Sequence, residues 1–230
     1  MGQVLAMSGM TISRRTAGMA AMVGLMLIPG CGDLAKTGIG PRVAGALFPA
    51  LAGTPPPASG GLDFSAQAIA ADTSQFAIFT INALAVQAPG RIIQNNDADQ
   101  TWISQSGFTA TYSDGMLVAT RGFGDDLMAS DTVQSRLALV QGGGPAQRSH
   151  DFLDDFDQMT TVRFDCEIVA QGREVIDLGL RQPNLAKYEE TCTSPKLVFA
   201  NIYWLDDTGE ILQSRQFVSQ TVAYLRFNRL

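Results

Sequence analysis

The chain has 230 residues, 46% of them apolar and 17% charged, with a net charge of −6. That is enough length and apolar content for one medium domain with a real core, and it excludes global disorder. The acidic balance, with no basic stripe and no nucleic-acid motif, argues against a nucleic-acid partner, whose phosphates need Lys and Arg clusters.

The first thirty residues read as a leader rather than as part of the fold. "TISRRTAGMAAMVGLMLIPGC" places Arg14 and Arg15 ahead of an apolar run from Ala17 to Pro29. The run is too short to span a bilayer comfortably and fits a signal-peptide core. Its removal takes two arginines and no acid, leaving about −8. Ser13-Arg14-Arg15 resembles part of a twin-arginine signal, but Thr16, Ala17 and Gly18 stand where that signal has apolar residues, so Sec and Tat export both stay open. Met7 or Met10 as the true start would shorten the basic region.

Ile28-Pro29-Gly30-Cys31 resembles the lipobox of bacterial lipoproteins: an aliphatic residue, a small residue, then Cys, with Pro29 departing mildly from the pattern. Cysteine is required there because its thiol takes the diacylglyceryl group. The alternative is a buried cysteine after an apolar helix. Acyl chains contribute about 0.8 kcal/mol per buried methylene, so several on Cys31 would hold a soluble domain on a membrane. Gly32, not aspartate, follows the cysteine, which favours the outer membrane and its periplasmic face; Asp33 blurs that sign. Residues 31–63 are Gly-, Ala- and Pro-rich ("PALAGTPPPASGG") and read as a flexible tether, with at most a short helix in "RVAGALFPAL".

Residues 64–230 look β-rich. "QFAIFTINAL" is a buried-strand run, and "QTWISQSGFTATYSDGMLVATRGFG" reads as three strands with turns at Ser106-Gly107 and Ser113-Asp114-Gly115. In "FGDDLMASDTVQSRLALVQGGG", Ser130 or Asp131 is expected to cap a short helix that ends at Gly142-Gly143-Gly144. From Thr161 to Val169, Val162, Phe164, Cys166 and Ile168 alternate with Arg163, Asp165 and Glu167. "REVIDLGL" is expected as a new strand after a Gln171-Gly172 turn. "AKYEETCTS", "KLVFANIYWL", "EILQSRQFV" and "TVAYLRFNRL" complete the set. Short strands, close turns and few helices predict an all-β antiparallel meander, forming a sandwich or a partly open barrel.

Cys166 and Cys192 lie in two strand-like runs. In an exported chain with Cys31 acylated they form the one remaining pair and read as a disulfide, while a redox pair or metal ligands lack a C-x-x-C spacing or a histidine companion. The one histidine, His150, sits in "RSHDFLDDFDQ" beside Asp151, Asp154, Asp155 and Asp157. This is a metal or acid/base candidate, but it matches no HExxH or EF-hand spacing, and a solvated loop is the expected reading. Neither G-x-S-x-G nor a phosphate loop is present, and no cofactor or metal is expected. Glu189 and Glu190, adjacent on a strand, should point to opposite faces and not share a site. In "NIYWLDDTGEILQSRQFVS", Asp206-Asp207-Thr208-Gly209 separates two alternating runs. A hairpin turn is expected there rather than a calcium loop, which needs more oxygen ligands.

That last stretch is similar to the signature "N-x-Y-W-[VL]-D-x-x-G-x-[IV]-x-x-S-R-Q" of the YjbF/GfcB lipoproteins, and "WISQSGFTATYSDGMLVATRGFGDDL" resembles the family's upstream block. Phe217 stands where the family often has Trp. The resemblance implies a periplasm-facing, outer-membrane-anchored β domain without known catalytic activity, serving exopolysaccharide or group 4 capsule production. It also implies an outer-membrane β-barrel and a periplasmic exopolysaccharide protein as companions. Trp102, Tyr112, Tyr203, Trp204, Arg215 and Gln216 are the candidates for glycan or partner contact, with core packing as the competing reading of the aromatics. Three roles follow as alternatives: an accessory that works by binding, a polysaccharide-modifying enzyme using the acids near His150, and a lipoprotein that braces an outer-membrane barrel.

Overall fold

A computed structural model describes residues 61–230. The leader, Cys31 and most of the tether expected from the sequence lie outside the described residues. The described chain begins with a short helix α1 (Ala66–Ala71), capped by the Ser65 hydroxyl, which accepts from the Ala68 N–H at 3.2 Å. Twelve strands follow: β1 (Phe76–Ile81), β2 (Val86–Asn96), β3 (Asp99–Ser104), β4 (Thr109–Ser113), β5 (Met116–Arg121), β6 (Ala129–Asp131), β7 (Gly144–Leu153), β8 (Met159–Val175), β9 (Asn184–Thr193), β10 (Val198–Leu205), β11 (Ile211–Ser219) and β12 (Ala223–Arg229). A second helix, α2 (Val133–Val140), lies between β6 and β7.

All ladders are antiparallel, and they form one sheet in the order β5-β4-β3-β2-β1-β12-β11-β10-β9-β8-β7-β6. Two meanders, β1 to β5 and β6 to β12, are therefore joined where the last strand pairs with the first. Of the two architectures left open by the sequence, the nearly closed barrel is the one formed. Its seam is held by short bridges: Thr120 N–H donates to Leu127 O at 2.8 Å, and the Arg121 guanidinium donates to the carbonyls of Leu127 and Met128 at 3.2 and 3.1 Å. Across the interior, Gln216 of β11 ties β5 down. Its Oε1 accepts from Leu117 N–H at 2.8 Å and its Nε2 donates to Gly115 O at 2.9 Å.

The period-2 pattern decides which side chains enter. Phe164, Cys166 and Ile168 of β8 are buried, while Arg163, Asp165 and Glu167 are exposed. One half of the interior is filled by an aromatic group in which Phe79, Trp102, Tyr112 and Phe227 meet edge-on or tilted, with centroids 4.8–6.4 Å apart. The other half gathers Phe164, Phe199, Tyr203, Phe217 and the cysteine pair. A third, smaller cluster, Leu178, Leu185, Trp204 and Leu212, packs apart from these two.

Two expectations need correction. The Gln171-Gly172 stretch is not a turn: β8 runs on through it to Val175, with the register shifting between Ala170 and Arg173. A bulge with Gly172 in the left-handed region (φ 90°) absorbs the extra residues, and the chain reverses only later, where Leu178 N–H meets Arg181 O at 3.0 Å. The helix cap also moves. Ser130 and Asp131 belong to β6, and Thr132 is the N-cap, although the Asp131 carboxylate still accepts from Val133 N–H at 3.2 Å. The expected glycine stop holds: Gly142 and Gly143 donate to Leu139 and Ala138 carbonyls. Gly143 (φ 126°) is also required for space, since a Cβ there would lie 2.7 Å from Ile168 O.

Cys166 and Cys192 face each other directly across the β8–β9 ladder and are joined as a disulfide. The closed loop spans 26 residues, for which the chain-entropy model gives roughly 3 kcal/mol. Replacing both cysteines with alanine is expected to lower the melting temperature by about 6–12 °C, measured by calorimetry on the oxidised parent and the double variant.

Candidate functional site

The most chemically loaded place in the molecule is sealed inside it. Glu190 points inward from β9 and is 0% exposed. Its carboxylate accepts from Arg148 Nη1 of β7 at 2.7 Å, Tyr203 Oη of β10 at 2.6 Å and Asn201 Nδ2 of β10 at 2.7 Å, and from the Ser135 hydroxyl of α2. Arg148 Nη1 also donates to Tyr203 Oη at 3.2 Å, and Asn201 Oδ1 accepts from Phe217 N–H at 2.8 Å. Burial alone would push the Glu190 carboxyl up, but the Arg148 guanidinium and the three side-chain donors outweigh it and hold the pKa below its ordinary value. Burial and the neighbouring carboxylate drive the Tyr203 phenol well above its usual range. The cluster is a buried ion pair whose carboxylate accepts four side-chain hydrogen bonds.

His150 corrects the sequence reading most sharply. It is not in a solvated loop. It sits in β7, 0% exposed, 5.1 Å from the Phe164 ring, 5.3 Å from Phe199 in a stacked arrangement, and near Phe152 and Phe217. Neither ring nitrogen has a hydrogen-bond partner. Burial first, and then the positive charge of Arg148, hold its pKa well below 6.5, so it stays neutral. Asp154, Asp155 and Asp157, expected beside it, are exposed in the β7–β8 turn, where Asp154 Oδ1 accepts from Phe156 and Gln158 N–H at 2.9 Å. The acids are a turn, and the histidine is core. Among the described residues, the one group compact enough for a metal is Cys166, Glu190 and Cys192, and its two sulfurs are already bonded to each other.

The contact candidates divide. Tyr203, Trp204 and Gln216 are buried, and Arg215 is half-buried. Trp204 Nε1 donates to Glu174 at 2.5 Å under the Lys187 ammonium, 5.5 Å from the ring centroid. The Arg215 guanidinium lies 4.4 Å from the Tyr224 ring centroid and donates to Ala200 O at 3.0 Å. These four hold strands together and present no ring face to a glycan. Their alternation between two apolar environments, rather than a surface, explains why both faces of β10 and β11 are aromatic or amide-rich. Trp102 and Tyr112 are equally buried, but both border a cavity. Between the strands of this stretch, the Asp206-Asp207-Thr208-Gly209 segment is the expected hairpin turn. Asp206 Oδ1 accepts from Thr208 and Glu210 N–H at 2.9 and 3.0 Å, and Gly209 takes φ 84°.

Several clefts open on the surface of the described residues, among them a larger and a smaller one. The larger, about 560 Å³, is bordered by Phe152, Thr161, Arg163, Lys196, Phe217 and Gln220. Arg163 and Lys196 form no ion pair with the described residues. Its signal in the sequence was weak because its walls come from strands and turns far apart in the chain. The smaller, about 250 Å³, lies against the 208–211 turn and is bordered by Trp102, Tyr112 and Arg136.

The buried groups set the pH response. His150 is the one histidine in the chain. The unfolded chain protonates it below about 6.5 and the folded protein does not, so stability falls as pH drops below that value, by up to about 1.4 kcal/mol per pH unit. Glu190, whose folded pKa is depressed, adds a second loss only as pH falls below 4.5 and through its folded value. Urea unfolding of His150→Phe is expected to show a flat profile between pH 5 and 6.5 while the acid limb persists. Glu190→Gln leaves the Arg148 charge buried without its counter-charge and is expected to cost about 3–5 kcal/mol, read from the urea midpoint at pH 7.

A family described as "Group 4 capsule polysaccharide lipoprotein gfcB, YjbF" matches residues 63–230. No curated protein matches the chain. The hypothetical lipoprotein YmcC of Escherichia coli (K12) has a similar fold, with a TM-score of 0.60 at 21% identity over 70% of this chain and 86% of that one. A Bacteroides fragilis NCTC 9343 protein described as having a YmcC-like fold aligns over 67% of this chain and 93% of its own, at 12% identity and a TM-score of 0.25. The family match covers every strand of the barrel and both the buried Glu190 cluster and the 206–209 turn, so the chain belongs to the YjbF family of group 4 capsule polysaccharide lipoproteins.

Proposed function

We propose that this protein is lipidated at Cys31, held at the periplasmic face of the outer membrane, and serves exopolysaccharide or capsule assembly by binding rather than by catalysis. The observation that carries this reading is the burial of the acid/base groups. Glu190, Arg148, Tyr203 and His150 are buried in the interior, and the first three hydrogen-bond to one another. A catalytic acid or base must reach its substrate's proton within hydrogen-bond distance. The open clefts instead carry hydroxyl, amide, aromatic and cationic side chains, a composition suited to holding a ligand. Family membership supports the capsule setting, and Gly32 after Cys31 supports the outer-membrane address. An outer-membrane β-barrel and a periplasmic exopolysaccharide protein are the companions proposed for it.

The enzymatic alternative rested on His150 with the neighbouring acids, and the β7 register separates them. In the producing cell, His150→Phe together with Asp154→Ala and Asp155→Ala is expected to leave surface polysaccharide unchanged, and its loss with folded protein would favour catalysis. Cys31→Ser is expected to release the chain from the membrane fraction and to lower surface polysaccharide. Unchanged fractionation would remove the lipid anchor from the proposal.

A further inference from the structure

The tip of the β7–β8 hairpin carries a side chain that the fold does not use. Phe156 is 82% exposed, the most exposed large apolar residue among the described ones. Its turn is firmly built. Asp154 N–H donates to Gln158 O at 2.9 Å, the Asp154 carboxylate accepts from the Phe156 and Gln158 N–H groups, and Asp157 takes the left-handed conformation at φ 57°. The turn therefore needs the Phe156 backbone and not its ring. Leu153 and Met159, opposite each other at the base of the turn, are exposed as well. Asp154, Asp155 and Asp157 flank this apolar tip, and residues 149–162 contain no lysine or arginine. The hairpin ends as an acidic finger with an apolar point.

The larger cleft is its counterpart. Phe152 of β7 and residues 160–163 of β8 form the wall next to the finger, and the β9–β10 and β11–β12 turns form the others. Half-buried Phe152, Val162 and Leu197 make it apolar inside. Arg163 and Lys196 border it, exposed and without ion-pair partners among the described residues. Asp125 borders it too, and its carboxylate accepts from Thr221 N–H at 3.3 Å. At about 560 Å³ the cleft is in the range of pockets that enclose a whole small molecule, ample for a phenyl ring.

Finger and cleft are complementary in polarity and charge, yet they do not meet within one chain, where Phe156 stays in solvent. They lie side by side at one end of the barrel. A two-fold axis between two copies therefore brings each finger to the other's cleft, and such an isologous contact closes on itself. An anionic lipid surface would instead be repelled by the aspartates. We propose that this end of the barrel is a dimer interface, in which Phe156 of each copy enters the apolar cleft of the other and the aspartates beside it pair with Arg163 and Lys196. Phe156 is the buried anchor of the contact, and the charges set its orientation. Any other occupant of the larger cleft must displace the finger. The contact is independent of the lipid anchor and of the capsule role.

Sedimentation velocity of the full chain in detergent, over roughly 1–100 μM, is expected to show a reversible monomer–dimer equilibrium. Raising the salt from about 0.05 to about 0.5 M is expected to weaken it, because the paired charges lie at an exposed rim. Phe156→Ser and Lys196→Glu are each expected to weaken dimerisation at least about tenfold with the melting temperature unchanged, since both side chains are exposed in the single chain. In the producing cell, Phe156→p-benzoylphenylalanine is expected to photo-cross-link to residues 194–197 of a second copy. A monomer throughout that concentration range, a dimer unmoved by Phe156→Ser and Lys196→Glu, or a cross-link only to another protein, to lipid or to glycan would overturn the proposal.

Discussion

One buried ion pair constrains the rest of this molecule. Taking Glu190 and Arg148 out of water costs several kcal/mol per charge, and only close pairing with full hydrogen bonding offsets it. The partners come from separate places: Arg148 from β7, Glu190 from β9, Asn201 and Tyr203 from β10, and Ser135 from α2. Asn201 extends the network to the β11 backbone at Phe217. A one-residue slip of β9 would turn Glu190 outward and strand Arg148 among Phe164, Phe199 and Tyr203. The pair therefore selects one register for half of the barrel, a role that apolar packing alone performs less strictly.

The signature stretch acquires its meaning from that constraint. Asn201 and Tyr203 serve the buried carboxylate, Gln216 fastens β5 across the interior, and Arg215 and Trp204 lock neighbouring strands. The motif by which the family is recognised is a description of how the barrel is held shut. Groups without an ion-pair partner among the described residues lie at the turns, as at Asp97, Asp114 and Lys196, or on the exposed face of β8, as at Arg163.

How much of this was legible in the sequence depended on how local the signal was. The 198–218 hairpin and the face alternation of β8 were readable because each is stated within a few consecutive residues. β2 was not: Pro89, Gly90 and the Asn95-Asn96-Asp97 run carry no strand signal, yet Gly90 is needed where the Phe79 ring leaves no space for a Cβ. β7 was hidden by the glycine triplet before it and the aspartates after it. The burial of His150 had no local sign either. Its cage is made by Phe164, Phe199 and Phe217, on three other strands, so the aspartates beside it in the chain dominated the reading. Of the six contact candidates, Trp102 and Tyr112 lie beside a cavity while Tyr203 and Trp204 brace strands, yet aromatic identity described all four alike. Residue type alone does not separate the two.

The pairing of β1 with β12 has a kinetic consequence. Ala77 through Thr80 find their partners among Arg226 to Arg229, nearly the whole domain later. Contacts of such sequence separation are slow to form, and here the central ladder cannot form until the final residues have been synthesised. Until then β1 has only β2 beside it, and the second meander has no strand to join. A barrel whose first strand waits for its twelfth cannot close while that strand is still on the ribosome, so the two meanders must stay apart until then.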